Sequence, residues 1–113
     1  GIREAVFGGN MRDINLILEN IVYLELLRRG YDVAIGKVGN AEIDFIAAKA
    51  DEKIYVQVTE SMESETVRAR ELAPLQGIAD NYEKIVLSLH PGLETSYDGI
   101  KSIDLIEWLL ENQ

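Results

Sequence analysis

Glu42, Asp44, Gln57 and Thr59, with Glu19, are the polar side chains whose type and setting could do chemistry. Four of them fall on one predicted β-hairpin. Residues 41–48 and 53–59 both alternate apolar and polar side chains, as half-buried strands do, and Lys49-Ala50-Asp51-Glu52 forms a polar joint between them. A turn centred between Ala50 and Asp51 sets Asp44 opposite Gln57, Glu42 opposite Thr59 and Ile46 opposite Tyr55. Directly opposed residues share a face, so one face carries Glu42, Asp44, Gln57 and Thr59, and the other carries Ile43, Phe45, Ile54, Val56 and Val58. Glu19 lies mid-helix, on a polar line Asn15-Glu19-Tyr23 at i, i+4, i+8 with apolar neighbours on both sides. Two readings of the set stay open from the residues alone. Asp44, Gln57, Glu19 and Tyr23 form a buried hydrogen-bond network that fixes helix against sheet, or Glu19 is an exposed acid on a solvent stripe.

Composition removes several other chemistries. The chain has 113 residues, which suits one domain, and is 47% hydrophobic, which argues against disorder. With no cysteine there are no disulfides, thiolate zinc sites or cysteine nucleophiles. The single histidine, His90, stands before Pro91 and reads as a loop residue rather than a catalyst. Acidic residues number 20 against 11 basic, a net charge of −9, which disfavours nucleic acid because affinity for phosphate backbones comes largely from Lys and Arg. No apolar run approaches the roughly 18 residues that span a bilayer, and no secretory signal is visible, so no membrane contact is expected and the chain reads as cytoplasmic. Its opening on Gly1 rather than Met reads as a piece of a longer protein, with residues 1–11 a linker or trimmed segment and residues 12–113 a single domain.

Positioning those residues requires a helix, a three-stranded meander and a crossover. The first helix is expected from Asp13 to Arg29, with Asn10 as N-cap and Gly30 just past its end. Its apolar stripe is Ile14, Ile17, Leu18, Ile21 and Leu24, widened by Val22, Leu26 and Leu27, so burial over much of its circumference is expected. Glu25 should pair with Arg28 and Arg29. A strand over Tyr31–Val38 leads through Gly39-Asn40 into the hairpin. Ser61 or Ser64 caps a second helix, which Pro74 should kink or divide, and Arg68 and Arg70 on it should pair with Glu65 and Glu71. Glu83–Leu89 reads as a buried strand, residues 93–98 as a loop, and Gly99–Ile103 as a short edge strand able to pair with a second copy. Asp104 and Glu107 open a last helix over Leu105–Glu111, with Trp108 in the core. The order α-β-β-β-α-β-(β)-α makes an α/β (α+β) fold, a central mixed sheet flanked by helices.

A helix carboxylate, a second-strand carboxylate and a third-strand acid or amide, in that order, resemble the PD-(D/E)XK nuclease superfamily and its restriction-endonuclease-like αβββαβ core. The text is more similar still to the C-terminal nuclease-like domain, of uncharacterised function, found in prokaryotic AAA-type ATPases. The stretches that carry this resemblance run from Leu18 to Tyr31, Glu42-Ile43-Asp44-Phe45, Tyr55-Val56-Gln57-Val58-Thr59, residues 81–88, and the Ile103–Leu110 tail. The resemblance implies that Glu19, Asp44 and Gln57 stand at the metal-binding positions, where active members hold Mg²⁺ or Mn²⁺. Such a metal lowers the pKa of a bound water and stabilises developing charge on phosphorus. Thr59 stands where active members have a Lys, and it cannot supply a positive charge. Lys53 shares the face of Gln57 but lies roughly 13 Å along the strand. Lys37, on the first strand, and Arg68 and Arg70, on the next helix, are the other cations that could swing toward that face. The implied function is a catalytically degenerate accessory or interaction domain partnered with the ATPase domain of its parent chain. The alternative is a metal-dependent DNA endonuclease or phosphodiesterase using Glu19, Asp44 and Gln57. No Walker-type Gly-x4-Gly-Lys-Ser/Thr run occurs, so nucleotide hydrolysis would belong elsewhere in that protein.

Overall fold

The computed structural model describes residues 11–38 and 41–111. In chain order the elements are α1 (Met11–Arg28), β1 (Asp32–Val38), β2 (Ala41–Lys49), β3 (Glu52–Ser61), α2 (Glu65–Gln76), β4 (Glu83–His90), β5 (Ser96–Tyr97), β6 (Ile100–Asp104) and α3 (Leu105–Leu110). The expected αβββαβ order is present, and the whole is a six-stranded mixed sheet with three helices packed on it. The Asn10 cap, the Gly39-Asn40 turn and the expected linker lie outside the described residues, except Met11, which opens α1.

The strands run in the order β1-β2-β3-β4-β6-β5. The first three form the antiparallel meander, β4 joins β3 in parallel across the α2 crossover, and β6 joins β4 in parallel. Tyr55–Thr59 on β3 and Ile85–Ser88 on β4 are buried at every position, as central parallel strands covered on both faces must be. One face packs under α1 and α3 through Leu18, Val22, Leu26, Val56, Leu87 and Trp108. The other packs under α2 through Tyr55, Met62, Leu72, Leu75 and Val86.

Two local devices differ from the sequence reading. Between Ala34↔Ile46 and Gly36↔Ile43 the β1–β2 register shifts, so that Asp44 and Phe45 together oppose Ile35. Such a bulge resets the in-out alternation, and Ile43 joins the α2-side core while Phe45 stays under α1. Gly36 fits there because a Cβ would come within 2.2 Å of Ile46 Cδ1. At the far end, β5 forms inside the expected loop and pairs with β6 through Ser96↔Lys101 and Tyr97↔Ile100. Ile100–Ile103 is therefore flanked by β4 and β5 and is not an open edge. The long open edge is β1.

The helices are seated by a few specific groups. α1 ends at Arg28, with Gly30 at φ 93° and its N–H bonded to Leu27 O, the left-handed cap that glycine favours. Glu25 accepts from both arginines at 2.7 Å, as expected, and these bonds pull its carboxyl down to about 2. Arg29 also donates to Trp108 O and lies over the Trp108 ring, 4.2 Å from its centroid, which ties α1 to α3. Ser64 caps α2, and the helix continues through Pro74 to Gln76, so the proline marks the last turn rather than a division. Arg68 donates to Met62 O and Glu63 O instead of pairing with a glutamate. Asp104 caps α3 by accepting from Ile106 N and Glu107 N. No helix of the described residues is long and apolar enough to cross a membrane.

The buried line of α1 is Leu18, Val22 and Leu26, with Ile14 packed beside it. Ile17, Ile21, Leu24 and Leu27, expected to be buried, are exposed. Leu26→Ala should therefore cost about 2–5 kcal/mol in a urea titration, because Leu26 is completely buried. Leu93→Ala, at a fully exposed side chain, should stay within about 0.5 kcal/mol. Equal effects would show that Leu26 does not anchor α1.

Candidate functional site

The site forms where β2 and β3 part. Their paired register runs from Lys49↔Glu52 through Ile46↔Tyr55 to Phe45↔Val56, as the Ala50/Asp51 turn requires. One step further on, side chains take up the backbone groups. Asp44 N donates to Gln57 Oε1 at 2.8 Å, and Val58 N donates to Asp44 Oδ2 at 2.9 Å. Gln57 Nε2 donates across to Glu71 O on α2 at 3.1 Å. Two residues on, Glu60 N donates to Asn15 Oδ1 on α1 at 2.9 Å. The β3 edge that β2 leaves is thus capped first by Asp44 and then by the helix. The network expected among Asp44, Gln57, Glu19 and Tyr23 takes a different form: Asp44 and Gln57 serve backbone groups, Asn15 makes the bond from helix to sheet, and Tyr23 packs on Phe45 with ring centroids 6.0 Å apart.

The parting strands open a cleft of about 700 Å³ lined by Glu19, Asp44, Gln57, Glu71, Arg70 and Lys37, with Glu42, Ile43, Phe45, Ile35 and Gly36 completing its walls. Glu19, Asp44 and Gln57 are therefore brought together. Thr59 is not. It is wholly buried beneath α2, and does not line the cleft. Its neighbour in the β4 register is Ser88, equally buried, and among the described residues neither hydroxyl has a hydrogen-bond partner. Lys53 sits over the Tyr55 and Tyr82 rings and does not line the cleft. Lys37 lies 4.0 Å from Glu42.

Glu71 is the cleft residue that the sequence reading missed, having been assigned to ion pairing. Its spacing held the signal, because Glu71 is one turn before Leu75, a fully buried residue of α2, and i, i+4 positions share a face. Burial, then the charge of Asp44, then that of Glu19 push its carboxyl up to about 7, with Arg70 opposing. Burial and the Asp44 charge raise Glu19. Burial raises Asp44, against the lowering effect of the Val58 N–H. Three of the four carboxylates that line the cleft, Glu19, Asp44 and Glu71, therefore resist ionising together.

These side chains offer the hard oxygens that Mg²⁺ or Mn²⁺ takes, yet the donor set falls short of a protein cage. Among the described residues no group of three or more Asp, Glu or His lies close enough together to hold a metal ion, and Gln57 Oε1 already accepts from Asp44 N. The arrangement can bind a proton near neutral pH.

No family model matches this sequence. It does have a longer bacterial relative. A Haemophilus influenzae protein described as "Uncharacterized protein" is 44% identical over 111 residues, covering 98% of this chain. The chain spans only 27% of that relative's length, so the match is to one part of a larger polypeptide.

Two outcomes follow from this geometry. Glu71 holds its proton more tightly folded than unfolded, so its contribution to stability is complete below about pH 4.5 and is lost as the pH rises through about 7. Urea titrations across that window should show stability falling, by on the order of 1–2 kcal/mol after solvent screening, and Glu71→Gln should flatten the slope. A slope unchanged in Glu71→Gln would place the titration elsewhere. Thr59→Val, which removes an unpartnered hydroxyl, should be neutral or stabilising by about 1 kcal/mol. A loss beyond about 1.5 kcal/mol would reveal a buried water bonded to Thr59.

Proposed function

We propose that this chain is a nuclease-like accessory module of a longer protein of the prokaryotic AAA-type ATPase kind, with a PD-(D/E)XK cleft that has lost its cleavage chemistry and with the ATPase domain as its partner. The observation that carries the reading is the divided fate of the four site positions. Glu19, Asp44 and Gln57 line one cleft, whereas Thr59, at the position the resemblance reserves for a lysine, is uncharged and wholly buried. Water activation by this pattern needs a cation beside the carboxylates, and position 59 supplies none. Asp44 and Gln57 meanwhile hold β2 to β3 by their backbone bonds, a role that keeps both residues without catalysis. The relative's greater length fits a module within a larger polypeptide.

A second reading has one specific observation in its favour. Arg70 lines the same cleft beside Glu71, where a cation from α2 could replace the missing lysine. The chain would then be a metal-dependent endonuclease or phosphodiesterase acting through Glu19, Asp44 and Gln57.

Calorimetric titration of Mn²⁺ into the wild type and Asp44→Asn, run beside Mg²⁺-dependent cleavage assays on single-stranded, branched and duplex DNA, separates the two. The degenerate module should cut none of these substrates above background. Robust cleavage abolished by Asp44→Ala would sink that reading in favour of the second, and its loss in Arg70→Ala would assign the cation.

A further inference from the structure

α1 presents an apolar surface outward as well as inward. Leu16 is 55% exposed, Ile17 49%, Ile21 37%, Leu24 55% and Leu27 43%. An amphipathic surface helix has a polar outer face, and one that is apolar all round is ordinarily buried. The polar side chains of that face are half-buried Asp13 and exposed Asn20, Tyr23 and Arg28. At 3.6 residues per turn, Asp13, Ile17, Leu24 and Arg28 fall on one narrow stripe, with Asn20 and Ile21 flanking its middle. The stripe has an acid at its N-terminal end and a base at its C-terminal end, with spacings of four residues at both ends and a midpoint between Asn20 and Ile21.

That pattern is its own complement when reversed. We propose that the outer face of α1 is the interface of a homodimer, in which α1 packs antiparallel against α1 of a second copy across a two-fold axis near Asn20 and Ile21. Ile17 then lies opposite Leu24 of the second copy, and Leu24 opposite its Ile17. Asp13 at one end meets Arg28 at the other, and the pair recurs by symmetry, as an isologous contact requires. Arg28 is available for this role. It bonds Glu25, but Glu25 is also held by Arg29 at 2.7 Å, and the Arg28 side chain remains 57% exposed. The charged ends choose the occupant: they match this same helix reversed. This inference does not rest on the nuclease-like reading of the cleft.

Sedimentation equilibrium of the 113-residue chain over a concentration series tests it. The wild type should rise from 12.7 kDa toward twice that mass, and Leu24→Glu should remain monomeric throughout. Ile17→Lys serves as a second variant should Leu24→Glu fail to fold. Asp13→Arg and Arg28→Asp should each weaken the dimer by about tenfold, and the two together should recover most of the loss. A wild type that stays monomeric to millimolar concentration overturns the proposal and leaves the face to other chain of the longer polypeptide. A dimer indifferent to Leu24→Glu and Ile17→Lys also overturns it, and points to the open edge of β1. Failure of the doubly reversed variant to recover refutes the antiparallel register.

Discussion

The fold turns on a point where a strand loses its neighbour. β3 continues along β4 as far as Ser61↔His90, while its pairing with β2 runs to Phe45↔Val56. Each backbone N–H left on that edge needs an acceptor, because an unpaired buried donor costs about 1–3 kcal/mol. Asp44 supplies one to Val58, Gln57 supplies one to Asp44, and Asn15 supplies one to Glu60. These three side chains let the sheet open into a cleft while its backbone stays satisfied, and they come from three different elements. Loss of the arrangement would unseat α1, β2 and α2 together.

The same constraint explains why the cleft is acidic yet awkward as a metal site. Asp44 is held in place by the strand end it caps, and Gln57 spans from that end to α2 through Glu71 O. Two of the groups facing the cleft are therefore committed to architecture. Glu71 and Glu19 add negative charge at partly buried positions, so the cleft relieves its electrostatic tension by taking up a proton. Arg70 opposes that tension from the α2 side.

Much of this was readable from the sequence. The hairpin register followed from the polar joint at residues 49–52, since a two-residue turn leaves little choice. Asp44 and Gln57 could be placed together because opposed strand positions share a face, whereas Glu19 was tied to them by the family resemblance and, on the residues alone, read equally well as an exposed acid. The bulge opposite Ile35 was not readable, because an extra residue in β2 alters no local pattern until β1 lies beside it. Glu71 was missed because a charged residue near Arg68 and Arg70 on a helix has a ready explanation at the surface. Pattern alone also could not tell which of the apolar faces of α1 meets the sheet. Either the Ile17–Leu24 line or the Leu18–Val22–Leu26 line satisfies helical periodicity, and only the shape of the sheet surface selects the second.

The contact between Arg29 and Trp108 makes the molecule its own optical gauge. Trp108 is the single tryptophan, so all tryptophan emission of the chain comes from one indole, almost wholly buried between α3 and the sheet. A guanidinium lies against its ring, and the same arginine is fastened to α1. The tryptophan fluorescence of the chain therefore records the joint between its first and last helices, and tilting or release of either one registers in a single spectrum without any attached dye.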